Sequence, residues 1–180
     1  MGTQPRAPFE LLSELETRAR AHAFGLPQRE EVRTLWHGVG FRLAGMSLVA
    51  PLGQVREVLV SPPVSRVPGA KEWVTGIANV RGTLLPILDL QGFLSSRPAA
   101  RGRRTRVLVV QHSGVMAGLM VDEVLGLRHF FEEDRLAHIP SSAEGLRAYL
   151  SGAFSQAGQV WTVFDMHRLI QDPAFMQVAA

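Results

Sequence analysis

The run Gly76-Ile77-Ala78-Asn79-Val80-Arg81-Gly82-Thr83-Leu84-Leu85-Pro86-Ile87-Leu88-Asp89-Leu90 constrains this chain more than any other stretch. Two short apolar runs, Ile77 to Val80 and Leu84 to Leu88, flank Arg81-Gly82. A glycine free to take positive φ between two strand-like runs predicts a β-hairpin, and this one lifts Arg81 to its tip. Pro86 has no N–H to give a ladder, so the second strand is expected at a sheet edge, or its proline at a bulge. Asp89 is placed to accept hydrogen bonds from the free N–H groups of a helix beginning at Leu90. The unit reads as strand, turn, strand, capped helix.

The same grammar recurs. Ala44-Gly45 separates Phe41-Arg42-Leu43 from Met46-Ser47-Leu48-Val49, and Ser113-Gly114 separates Val107-Leu108-Val109-Val110 from a run ending at Met120. Val55-Arg56-Glu57-Val58-Leu59 is echoed 66 residues later as Val121-Asp122-Glu123-Val124-Leu125, and the strand-Asp-helix at Asp89 is echoed 76 residues later at Asp165. Two echoes in the same order predict two similar β units. Short strands with frequent turns predict small β-barrels over a helical bundle. Alternation along 55 to 59 puts Glu57 on a face with Val55 and Leu59, so its carboxylate must lie at a rim or meet a cation. Arg81 is the candidate partner.

Ahead of the β pattern, Phe9, Leu12, Leu15 and Ala19 recur at helical spacing, with glutamates early and arginines late, the order the helix dipole favours. Gly25-Leu26-Pro27 breaks this helix, which makes residues 1–30 an N-terminal extension that either packs on the β body or docks a partner. No basic-then-apolar leader pattern occurs, and no apolar run approaches the ~20 residues of a membrane span. With no cysteine in the chain, disulfides and thiolate chemistry are excluded, which fits a reducing compartment. A cytoplasmic location is expected.

The net charge of +3 is local in origin. Arg97, Arg101, Arg103, Arg104 and Arg106 crowd one Pro-, Gly- and Ala-containing connection, and without them the chain is slightly acidic. That connection has no aromatic residue to stack on a base, so a solvated, mobile link is the main expectation, and a nucleic-acid-binding loop over Arg97–Arg106 is the alternative. Chemistry is sparse elsewhere. His22, His37, His112, His129, His138 and His167 show no metal-ligand spacing. Nucleophile elbow, phosphate loop and dinucleotide fingerprint are all lacking. Asp122-Glu123 and Glu132-Glu133-Asp134 lack the geometry of an acid–base pair or a calcium loop. The expectation is a protein with no catalytic residue, no metal and no cofactor.

The run Trp73 to Leu90, with Val55 to Leu59 upstream, Val67-Pro68-Gly69 between, and Gly118-Leu119-Met120-Val121-Asp122-Glu123-Val124 downstream, resembles the CheW-type coupling domain of bacterial chemosensory arrays over residues 36–170. The N-terminal extension is similar to that of the PilI-type members, associated with pilus-driven twitching. The resemblance implies a mainly β fold of two packed SH3-like five-stranded barrels with short helices, after the N-terminal helix and before a tail at 171–180. It also implies a non-enzymatic adaptor joining a chemoreceptor's cytoplasmic tip to the regulatory domain of a CheA-type histidine kinase, in the cytoplasm and recruited to membrane-associated arrays. Carried over residue by residue, Glu57, Asn79, Val80, Arg81 and Gly82 fall in the receptor-binding region.

Overall fold

The computed structural model describes residues 8–21, 34–140 and 146–179. His22 and the Gly25-Leu26-Pro27 break lie outside the described residues. The chain divides into two compact units, Met1–Arg33 and Thr34–Ala180. The first holds α1 (Pro8–Ala21), in which Glu14 and Arg18, one helical turn apart, pair at 3.5 Å, while Phe9, Leu12 and Leu15 are exposed.

The second unit runs β1 (Leu35–Leu43), β2 (Met46–Pro51), β3 (Val55–Val60), β4 (Val74–Val80), β5 (Thr83–Asp89), α2 (Leu90–Ser95), β6 (Arg106–His112), β7 (Val115–Val121), β8 (Glu123–Phe131), β9 (Leu150–Gln156), β10 (Gln159–Phe164), α3 (Met166–Gln171) and α4 (Pro173–Met176). Each tight hairpin turns on a residue-glycine pair at positive φ: Ala44-Gly45, Arg81-Gly82, Ser113-Gly114 and Ala157-Gly158. Positive φ at both central residues gives the backbone twist that matches two right-twisted strands, which is why glycine holds the second position every time. The fourth hairpin, at Ala157-Gly158, obeys the same rule.

The strands form two five-stranded sheets, β8-β1-β2-β10-β9 and β3-β6-β7-β5-β4. The two orders correspond strand for strand. In each, an antiparallel hairpin (β1–β2 or β6–β7) takes the strand of a capped helix (β10 or β5) in parallel on one side. The other side is filled by exchange: β3 follows β2 in the chain but pairs with β6, whereas β8 follows β7 but pairs with β1. The echoed motifs at Val55 and Val121 are therefore the two reciprocal crossovers.

The expected pair of closed SH3-like barrels is corrected: both sheets are open. β8 and β9 end one sheet, β3 and β4 the other. Across each sheet's margins no ladder forms, and β-pairing is limited to an isolated bridge, Arg135 with Phe154 and Ser65 with Ile77. Between β3 and β4 the chain carries Pro62 and Pro63, which have no N–H with which to extend a ladder. The edge position expected for β5 is likewise corrected, since β5 lies between β7 and β4. Pro86 is accommodated there because the parallel ladder to β7 begins only at Ile87.

One apolar core lies between the sheets, built of Phe41, Leu43, Leu48 and Ala50 from one and Leu88, Leu108, Val110, Leu119 and Val121 from the other, with Phe164, Met166, Leu169 and Ile170. Smaller clusters fill the other faces: Phe130, Phe154 and Trp161 with Val49 and Val163 in the first sheet, Ala78, Leu85, Ile87, Val107 and Val109 in the second. Both expected caps form. Asp89, buried, accepts from the Gly92 N–H at 2.9 Å and the Ala99 N–H at 2.8 Å, and Asp165 accepts from the His167 and Arg168 N–H groups. The 171–180 segment includes α4, whose Phe175 is buried and stacks on Trp73 at 5.7 Å between ring centroids. Burial and a hydrogen bond to Asp172 push the Tyr149 phenol up to about 12, while that same bond holds the Asp172 carboxyl below its usual range.

The arginine-rich connection is tied down. Its backbone bonds Asp89 through Ala99, Thr105 is buried and accepts from the Gly102 N–H, and Arg104 reaches Glu123 at 3.7 Å.

We propose that residues 1–30, which fall within the first of the two units, are separable from the β body. Deleting residues 1–30 should leave a soluble, β-rich protein whose thermal midpoint lies within about 5 °C of the full chain, on the order of 1–2 kcal/mol at this size. Aggregation of the shortened chain would mean that Phe9, Leu12 and Leu15 cover core.

Candidate functional site

Glu57 lies on β3, an edge strand whose ladder with β6 is irregular at its start. Val55 pairs with Val110 and Glu57 with the adjacent Val109, so Arg56 is an extra residue at that point. A one-residue slip reverses every side chain beyond it. Val55 accordingly packs on the core between the sheets, whereas Leu59 packs on the second sheet's own cluster. Glu57, opposite Val109, shares the Leu59 face and is separated from Val55, which corrects the simple alternation read along 55 to 59.

Arg81 comes to Glu57 from the β4–β5 turn. One Nη lies 2.6 Å from a Glu57 carboxylate oxygen, an ion pair between two parts of the sheet that share no ladder. The Arg81 side chain is 79% exposed and that of Glu57 28%. Water and any partner therefore reach the guanidinium freely, and the pair contributes about 0–1 kcal/mol to the fold. Arg81 sits at φ 51°, and Gly82 follows at φ 84°. The Asn79 side-chain oxygen accepts from the Gly82 N–H at 2.9 Å and braces the turn from within. Of the residues expected at the site, Asn79 and Gly82 thus set the presentation of Arg81.

Beside the pair opens a cleft of ≈ 360 Å³ lined by Arg56, Glu57, Val80, Arg81, Leu85 and Met116 among others. Arg56 hydrogen-bonds Gln111 on the next strand, so two guanidinium groups flank one carboxylate over an apolar floor. That composition suits recognition of a protein surface, since arginine joins planar, charged hydrogen bonding to apolar contact area. Sequence reasoning missed Arg56 and Met116. Arg56 is turned by the irregular ladder, and Met116 is contributed by a strand far away in the chain.

Several polar groups singled out elsewhere in the sequence are engaged within the fold. The Asp122 carboxylate accepts from the Ala44 N–H at 2.8 Å, Glu123 meets Arg104, and a hydrogen bond from Arg135 holds the Glu132 carboxyl below its usual range. His37 and His129 approach edge to face at 4.8 Å, and His112 stacks on His167 at 4.0 Å, both pairings made by the fold between distant residues. Among the described residues no group of three or more His, Asp or Glu could hold a metal ion. No helix among them is long and apolar enough to cross a membrane.

Comparison with known proteins agrees with this picture. The family model of the CheW-like domain matches residues 37–174. Protein PilI of Pseudomonas aeruginosa is 44% identical over 97% of this chain and 97% of its own length. Protein FrzA of Myxococcus xanthus is 34% identical over 66% of this chain and 73% of its own. The crystal structure of the scaffolding protein TtCheW from Thermoanaerobacter tengcongensis, at 22% identity, shares the fold with a TM-score of 0.64 over 78% of this chain and 96% of that one. A domain match spanning most of the chain, an end-to-end relative and a shared fold agree on one assignment: the chain belongs to the CheW-like domain family of non-enzymatic signalling adaptors.

Proposed function

We propose that this CheW-type adaptor of chemotaxis or pilus signalling couples a methyl-accepting chemoreceptor to a CheA-type histidine kinase, with Glu57, Asn79, Val80, Arg81 and Gly82 in the receptor-binding region. The observation that carries the reading is Arg81 itself: an exposed guanidinium, held by a braced turn at the mouth of a cleft, in an ion pair worth little to the fold. Preorganising a charged anchor lowers the entropic cost of binding, and such anchors concentrate interface energy. The 44% identity to PilI favours a pilus-linked system. The protein then works in the cytoplasm, recruited to arrays at the membrane by the receptor and with no insertion of its own. The alternative of a nucleic-acid-binding loop loses ground because Arg97–Arg106 is folded against Asp89, Thr75 and Glu123 and offers no stacking platform.

Coupling is tested by reconstitution. A receptor cytoplasmic fragment on beads should retain the kinase regulatory domain only when this protein is added. Retention of the kinase domain without it, or no retention with it, overturns the proposal.

A further inference from the structure

A second cleft, larger than the one beside Arg81, lies across the second sheet near β4. It holds ≈ 540 Å³ and draws its walls from three separate segments: Arg66 and Val67 after β3, Lys71 and Glu72 before β4, and Arg101 from the arginine-rich connection. Val64 and Val74 supply apolar wall, and buried Thr75 presents its hydroxyl to an Arg101 Nη at 3.4 Å. Three cations thus face one carboxylate, and no ion pair among the described residues engages Arg66, Lys71 or Arg101. Like charges gathered around a concavity repel one another and raise the local potential for an anion. The connection is held in this place by the Ala99–Asp89 bond and by the Gly102–Thr105 turn, so Arg101 is aimed, with its backbone anchored on both sides.

We propose that this cleft binds a carboxylate-rich segment of a partner protein, as a contact distinct from the Glu57–Arg81 region. A protein segment fits better than a polynucleotide because the lining contains valines and no aromatic ring, and because the cations converge on one hollow where a nucleic-acid track would string them along a groove. Each carboxylate seated on Arg66, Lys71 or Arg101 forms a charge-assisted hydrogen bond, with partner aliphatic stems against Val64 and Val74.

The test uses the full chain and a fluorescein-labelled hexaglutamate peptide, read by fluorescence anisotropy at low salt. Arg66→Ser with Arg101→Ser should weaken binding on the order of tenfold or more, the scale of losing charge-assisted bonds. Arg97→Ser with Arg103→Ser removes the same charge outside the cleft and should change binding less than about twofold if the site, not the net charge, is responsible. Arg101→Lys should retain most of the affinity, which separates a charge contact from a folding defect. Equal losses in the two double variants overturn the site, as does absence of peptide binding by the parent chain. Tighter binding of tripolyphosphate or of oligothymidine overturns the assignment to acidic protein. None of these outcomes bears on coupling, which the receptor–kinase reconstitution reads separately.

Discussion

Arg81→Ala should lower affinity for a receptor cytoplasmic tip about 30-fold, roughly 2 kcal/mol, while the denaturant midpoint stays almost where it was. The asymmetry follows from exposure. In the free protein the guanidinium is mostly solvated and its pair with Glu57 contributes about 0–1 kcal/mol, but a partner that dries the cleft turns the same group into a buried, charge-paired anchor. Alanine is the informative replacement because position 81 sits at φ 51°. It keeps an L side chain at positive φ, so the turn's backbone cost is unchanged and only the guanidinium is removed. Glu57→Ala should weaken receptor binding as well, and the double variant should lose less than the sum of the singles, since both substitutions break one interaction. Affinity for the kinase regulatory domain should hold in all three. A large midpoint shift with unchanged affinity per folded molecule would instead make the pair a clamp between β3 and the hairpin.

The second large effect is on stability. Gly76 has φ 145°, and a Cβ added there would overlap the Ser65 carbonyl oxygen. That carbonyl belongs to the bridge at the second sheet's open margin, where Ser65 and Ile77 exchange two backbone hydrogen bonds at 2.8 Å each. Gly76→Ala must strain the backbone, at about 1–3 kcal/mol, and push away the segment whose two bonds contribute about 1 kcal/mol apiece. A loss of about 3–5 kcal/mol and a midpoint drop on the order of 10 °C are expected. Gly45→Ala is the control: it also sits at positive φ, 80°, but an added Cβ there meets nothing within 4 Å. It should show the conformational strain alone, with a fall of only a few degrees. Equal midpoints for the two variants would show that the Ser65 bridge contributes nothing.

The sequence by itself determined what is decided within a few residues. Arg81-Gly82, Ala44-Gly45 and Ser113-Gly114 specify two-residue turns because glycine alone takes the second positive φ without cost. Asp89 and Asp165 specify helix starts because a short carboxylate reaches the free N–H groups beside it. The pairing of Glu57 with Arg81 was also within reach, since a carboxylate on a half-apolar strand requires a cation and the hairpin tip offered one. What the tertiary structure alone decided concerns distant backbone. Pairing partners along a chain are set by which edges are open when the sheets assemble, so the exchange of β3 and β8 and the open margins could not be read from two echoed motifs. The irregularity at Arg56 is a matter of register between β3 and β6 and carries no local signature, yet it fixes which face Glu57 occupies. The cluster of Arg66, Lys71 and Arg101 exists for the same reason: Arg101, distant in sequence, joins the other two around one hollow only once the connection folds back over β4.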